Sequence, residues 1–87
     1  MADDSLKKEI RGILKKVYFN DPDDLVWVSD GSEDEIDVVI FSHKFNGKRM
    51  KEKHDMIWSL LTQNLTPEQW GKISLLVGRT PEEIKAM

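Results

Sequence analysis

The sequence predicts an α+β fold in the order α-β-β-α-(short α)-β-α, with helices packed on a three-stranded mixed sheet. Two observations carry this expectation. Along the chain, apolar residues recur first at helical spacing, then in short runs rich in β-formers, then helically again. Clusters containing Pro or Gly punctuate the switches. With 87 residues the chain forms one domain, 1–87, that buries roughly 60–65% of the surface it exposes when unfolded. It contains no internal repeat, linker or low-complexity segment.

The first helix starts where Asp3, Asp4 and Ser5 offer N-cap oxygens. Leu6, Ile10, Ile13, Leu14 and Val17 then fall on one helical face, and Lys7, Lys8, Arg11, Lys15 and Lys16 fill the rest as a solvated polar face. Asn20-Asp21-Pro22-Asp23-Asp24 ends that helix, since Pro22 lacks a donor and disfavours helical geometry before it. Leu25-Val26-Trp27-Val28-Ser29 reads as a strand, 30–35 as an acidic turn, and Ile36-Asp37-Val38-Val39-Ile40-Phe41 as a second strand. Its continuous apolar centre suits a central position, antiparallel to the first strand.

Asn46-Gly47 is a turn signal that leads into a long helix over 49–64. At about 100° per residue, Met50, His54, Ile57, Trp58, Leu61 and Leu65 share one face of it, which places His54 inside an apolar stripe. Thr66-Pro67-Glu68-Gln69 is a capping box with Pro at the first helical position, and it opens a one-turn helix ending near Gly71. Ile73-Ser74-Leu75-Leu76-Val77 is a third short strand stopped by Gly78. Thr80-Pro81-Glu82-Glu83 repeats the capping logic and opens a last helix through Met87. The connection between the second and third strands passes through helices, so those two strands can run parallel.

Composition narrows the function. No apolar run approaches the roughly 18–20 residues of a membrane span, and the acidic N-terminus is unlike a signal peptide, so a cytoplasmic location is expected. The absence of cysteine excludes disulfides, thiolate nucleophiles and cysteine metal sites, so any sulfur ligand has to come from a partner. No Gly-rich phosphate loop, Ser-His-Asp spacing or paired buried carboxylates stand out, and the acids of 21–24 and 30–37 read as exposed clusters, so no enzymatic activity is expected. Net charge is −3, which opposes a dedicated nucleic-acid binder. Five basic residues, Lys44, Lys48, Arg49, Lys51 and Lys53, nevertheless stand against one acid, Glu52, between positions 44 and 53. His54 adjoins them. A neutral imidazole there can ligate iron, zinc or copper, or it can be a half-buried core histidine bonded to backbone.

Strand Val38-Val39-Ile40, the turn Phe45-Asn46-Gly47-Lys48, and Lys53-His54 with Ile57 and Leu60-Leu61 behind it resemble the BolA-like family. The closing run from Ile73 through Val77-Gly78-Arg79-Thr80-Pro81-Glu82-Glu83 is similar to that family's last strand and Thr-Pro-x-Glu segment. The likeness covers roughly residues 25–84. It implies a fold like that of class II KH domains and a non-enzymatic role beside a monothiol glutaredoxin in [2Fe-2S] cluster handling, iron regulation or stress response. His54 is the implied cluster ligand, shared with the partner and its glutathione, and no cofactor is expected in the isolated chain. The second ligand of the family comes from a Cys or His in the hairpin loop, and residues 29–35 contain neither. Lys53 stands where the family usually has Arg. The alternative is a KH-like transcription regulator that binds nucleic acid through Lys48, Arg49, Lys51 and Lys53, although the Gly-x-x-Gly loop of KH domains is absent.

Overall fold

The computed structural model describes residues 4–80 and Glu82. Helix α1 (Asp4–Val17) leads to strand β1 (Leu25–Asp30), strand β2 (Ile36–Phe41) and a 3-10 turn at His43–Phe45. Helix α2 (Met50–Asn64), helix α3 (Pro67–Trp70) and strand β3 (Ile73–Arg79) follow. The predicted order α-β-β-α-α-β is therefore present, and the last helix of the sequence reading lies outside the described residues except for Thr80 and Glu82. No helix among the described residues is long and apolar enough to cross a membrane.

The sheet order is β1-β2-β3, with β2 central, antiparallel to β1 and parallel to β3. A parallel neighbour demands a crossover, and α2 with α3 forms it. Ile36, Val38 and Ile40 are fully buried on one face of β2, whereas Asp37, Val39 and Phe41 on the other face are partly covered. Both helices pack on the buried face, where Leu6, Ile10 and Leu14 of α1 meet Ile57 and Leu61 of α2, with Phe19 and Phe45 beside them. The opposite face leaves Leu25, Trp27 and Leu75 at 45%, 57% and 44% exposure. Ser74 is extra in the β2–β3 register, and its hydroxyl donates to the Asp37 carboxylate at 3.0 Å.

Three details depart from the sequence reading. Gly78 does not stop the third strand. It is buried within β3 opposite Ile40, and a Cβ on it would lie 3.0 Å from the Phe45 ring and 3.3 Å from Ile57 Cδ1. The missing side chain is what lets Phe45 and α2 close onto the sheet.

The buried stripe of α2 is also rotated. Lys53, Ile57 and Leu61 face inward, whereas Met50 and His54 face outward, with Met50 64% exposed. Contact with both α1 and β3 sets this rotation, which carries Lys53 into the buried stripe.

The third departure is Asp24, which is not part of an exposed acidic cluster. It is 4% exposed and accepts hydrogen bonds from Ser42 Oγ at 2.6 Å and Lys44 Nζ at 3.0 Å.

Candidate functional site at the start of the long helix

The site is built from the turn that precedes α2. Asn46 at φ −57° and ψ 131° and Gly47 at φ +76° form a type II turn, closed by the Lys48 N–H donating to the Phe45 carbonyl at 3.1 Å. Only glycine adopts that positive φ without strain, so Gly47 has a structural reason to stand there. Phe45 has one too. It is fully buried, 5.4 Å from the Phe19 ring, and it sits against Gly78 of β3. Together they fix where α2 begins relative to β3. Arg49 caps the helix through its backbone N–H, which donates to Glu52 Oε1 at 3.1 Å.

On that frame, His54 lies on the exposed side of α2 at the rim of an open groove of about 410 Å³. Met50, Lys51 and His54 line it from α2, and Leu76, Val77 and Gly78 from β3. The His54 ring stacks on Trp58 one turn later, with centroids 6.1 Å apart and planes at 24°. His54 is thus not the half-buried core histidine that the apolar stripe allowed. Its exposure leaves it open to a partner.

The basic set divides. Lys48, Arg49 and Lys51 are exposed in the turn and first turn of α2, whereas Lys53 is 6% exposed and belongs to the buried face. Cations at a helix N-terminus face the positive end of the macrodipole, an unfavourable placement that a bound anion relieves. His43 lies elsewhere, in the 3-10 turn, with Nδ1 3.9 Å from Glu82 Oε1.

A second cluster escaped the sequence reading. Asp24 receives the Ser42 hydroxyl, the Lys44 ammonium and the Asp21 backbone N–H, and Lys44 also reaches Asp21 Oδ2 at 2.9 Å. Burial pushes the Asp24 carboxyl up, but the hydrogen bonds from Ser42, Lys44 and Asp21 and the Lys44 charge outweigh it, so its pKa lies below the ordinary value. Hydrogen bonds to Asp21 and Asp24 raise that of Lys44. Lys44 also stands 5.6 Å from the centre of the Tyr18 ring. The network ties the loop after α1 to the end of β2. It is structural in character, since every group in it already has a partner. The run Asn20-Asp21-Pro22-Asp23-Asp24 reads locally only as turn chemistry, and no pattern in it marks Asp24 as the carboxylate that turns inward.

Among the described residues no three His, Asp or Glu side chains converge as a metal site, so His54 offers one ligand. A [2Fe-2S] cluster depends chiefly on thiolates. This donor set fits a cluster as a contributor of one imidazole and not as its sole holder. Comparison with protein-family models, curated proteins and solved structures yields no match to this chain.

Proposed function

We propose that this chain is a non-enzymatic BolA-like protein of class II KH-like fold that partners a monothiol glutaredoxin in [2Fe-2S] cluster handling or iron regulation, in a cytoplasmic setting. The observation that carries the reading is the exposed His54 imidazole at the rim of an apolar groove, beside the cationic start of α2. His54 would donate one nitrogen, and the partner with its glutathione would supply the sulfur ligands. A bound cluster brings iron–sulfur redox chemistry that no side chain of this chain has. Lys48, Arg49 and Lys51 would attract the glutathione carboxylates through charge-assisted hydrogen bonds. Leu76, Val77 and Met50 give the partner an apolar surface that excludes water from the contact.

The test mixes the purified chain with a monothiol glutaredoxin, glutathione, ferrous iron and sulfide. A visible chromophore is expected only with the partner present, and His54→Ala should change its spectrum or lifetime while leaving the fold intact. His43→Ala is the near-silent control. A mixed-complex spectrum indifferent to His54→Ala defeats the proposal.

One observation keeps a second reading in view. Lys48, Arg49 and Lys51 are exposed together at one end of α2, as a nucleic-acid-binding regulator would need. The net charge of −3 ranks it lower.

A further inference from the structure

We propose that Trp58 is the residue that orients the His54 imidazole over the groove between α2 and β3, with Trp70 holding Trp58 in place. This rests on the reading of His54 as a metal ligand. Three rings form a continuous row: Trp70 meets Trp58 edge-on, with centroids 5.3 Å apart and planes at 76°, and Trp58 meets His54 in an offset stack. The far end of the row is anchored. Trp70 closes α3, where Thr66 and Gln69 cap each other and the Trp70 backbone N–H donates to the Thr66 carbonyl at 3.0 Å. The near end, His54, is exposed.

A metal-binding histidine ordinarily donates its other ring N–H to an acceptor that fixes the plane and tautomer of the ring. Among the described residues neither nitrogen of His54 has a hydrogen-bond partner. An exposed side chain on a helix then samples its staggered wells unless something holds it. The indole of Trp58, near-parallel to the imidazole and offset from it, restrains that ring. A ring nitrogen binds metal in the plane of the ring, so stacking leaves both nitrogens open for ligation. Ile57 and Leu61 already fill the core beneath α2, and a half-buried indole at position 58 adds what they do not, a flat surface facing His54. Trp58 itself would touch no metal. It is a positioning residue.

The test uses the full chain as wild type, Trp58→Ala, Trp58→Phe and Trp70→Ala, with two readouts. In the isolated protein, the His54 ring protons (assigned by their loss in His54→Ala) should show an upfield ring-current shift by NMR. That shift should vanish in Trp58→Ala, survive in part in Trp58→Phe, and weaken in Trp70→Ala. In the mixed complex with monothiol glutaredoxin, glutathione, ferrous iron and sulfide, the cluster of Trp58→Ala should have an altered visible circular dichroism and a lifetime about tenfold shorter, the low end for losing an outer support of a metal-bound histidine. Trp58→Phe should recover much of both, which a merely structural role would not predict if the two variants are equally folded. An unshifted His54 resonance in the wild type, or a Trp58→Ala complex with unchanged spectrum and lifetime, overturns the assignment. A wild-type mixture that gives no chromophore is the separate failure of the ligand reading, seen before any Trp58 variant is used, and it overturns the positioning role with it.

Discussion

Gly78 and Asp24 show how much single residues constrain this small domain. A methyl group on Gly78 would press on the ring of Phe45 and on Ile57, both fully buried, so neither can move aside freely. Gly78→Ala should therefore destabilise the protein by about 1–2 kcal/mol, overpacking outweighing the backbone entropy that alanine saves. The midpoint of urea unfolding measures it, and a variant as stable as the wild type would mean that Phe45 is loosely held.

Asp24 gives a pH dependence. Its pKa is lower in the folded chain than in the unfolded one, so its contribution is full above the ordinary carboxyl range near pH 4 and is lost as pH falls through the folded pKa. Lys44 has the opposite sign: its raised pKa favours folding below about 10.5 and loses that effect as pH rises through the folded value. Asp24→Asn should cost about 1–3 kcal/mol at neutral pH, since Ser42 and Lys44 lose a charged acceptor. The gap between variant and wild type should close below pH 4. A gap independent of pH would show that shape rather than charge matters at this position.

At the scale of elements, α2 is organised by what precedes and follows it. A type II turn and a buried Phe45 set its start, and the capped α3 receives its end. Glu52 in its first turn suits the macrodipole, but Lys51 beside it and Lys48 and Arg49 just before it do not. Lys51→Gln should stabilise the isolated protein by a few tenths of a kcal/mol at low ionic strength, with the gain fading as salt rises. The same substitution should weaken binding of an anionic partner. Thermal unfolding at two salt concentrations, set beside partner affinity, tests the pair of effects. A destabilised Lys51→Gln protein would show that the lysine is held by contacts rather than tolerated.

For the molecule as a whole, charge decides which partners are plausible. The exposed cations at the start of α2 are few, and the chain carries a net −3. Duplex DNA should bind weakly, at roughly 10⁻⁴–10⁻⁶ M, and more weakly as salt rises. Fluorescence anisotropy with labelled duplexes measures this, and nanomolar sequence-specific binding at physiological salt would reverse the ranking of the two functional readings. The packing of two helices on one sheet face, with Leu25, Trp27 and Leu75 left outward on the other, is the other property of the whole molecule.

The sequence by itself determined the order of the described elements and, the end of β3 apart, roughly where they begin and stop. The helical period of Leu6, Ile10 and Leu14, the β-rich runs at 25–29 and 36–41, the Asn46-Gly47 turn and the Thr66–Gln69 capping box all act over a few residues, so neighbours in the chain suffice to specify them. The nearness of His54 and Trp58 was legible for the same reason, as a spacing of one helical turn. Tertiary structure alone decided which way α2 faces. Two stripes of that helix are apolar enough to be buried, and contact with α1 and β3 selected the one through Lys53, Ile57 and Leu61, which turned His54 outward. It also decided that Gly78 lies inside a strand and that Asp24 is buried, because Phe45 is 33 residues from Gly78 and Ser42 is 18 from Asp24. The groove beside His54 exists only because β3 returns parallel to β2 beneath α2. Contacts so distant in sequence depend on the packing of the whole core, and no local pattern carries that information.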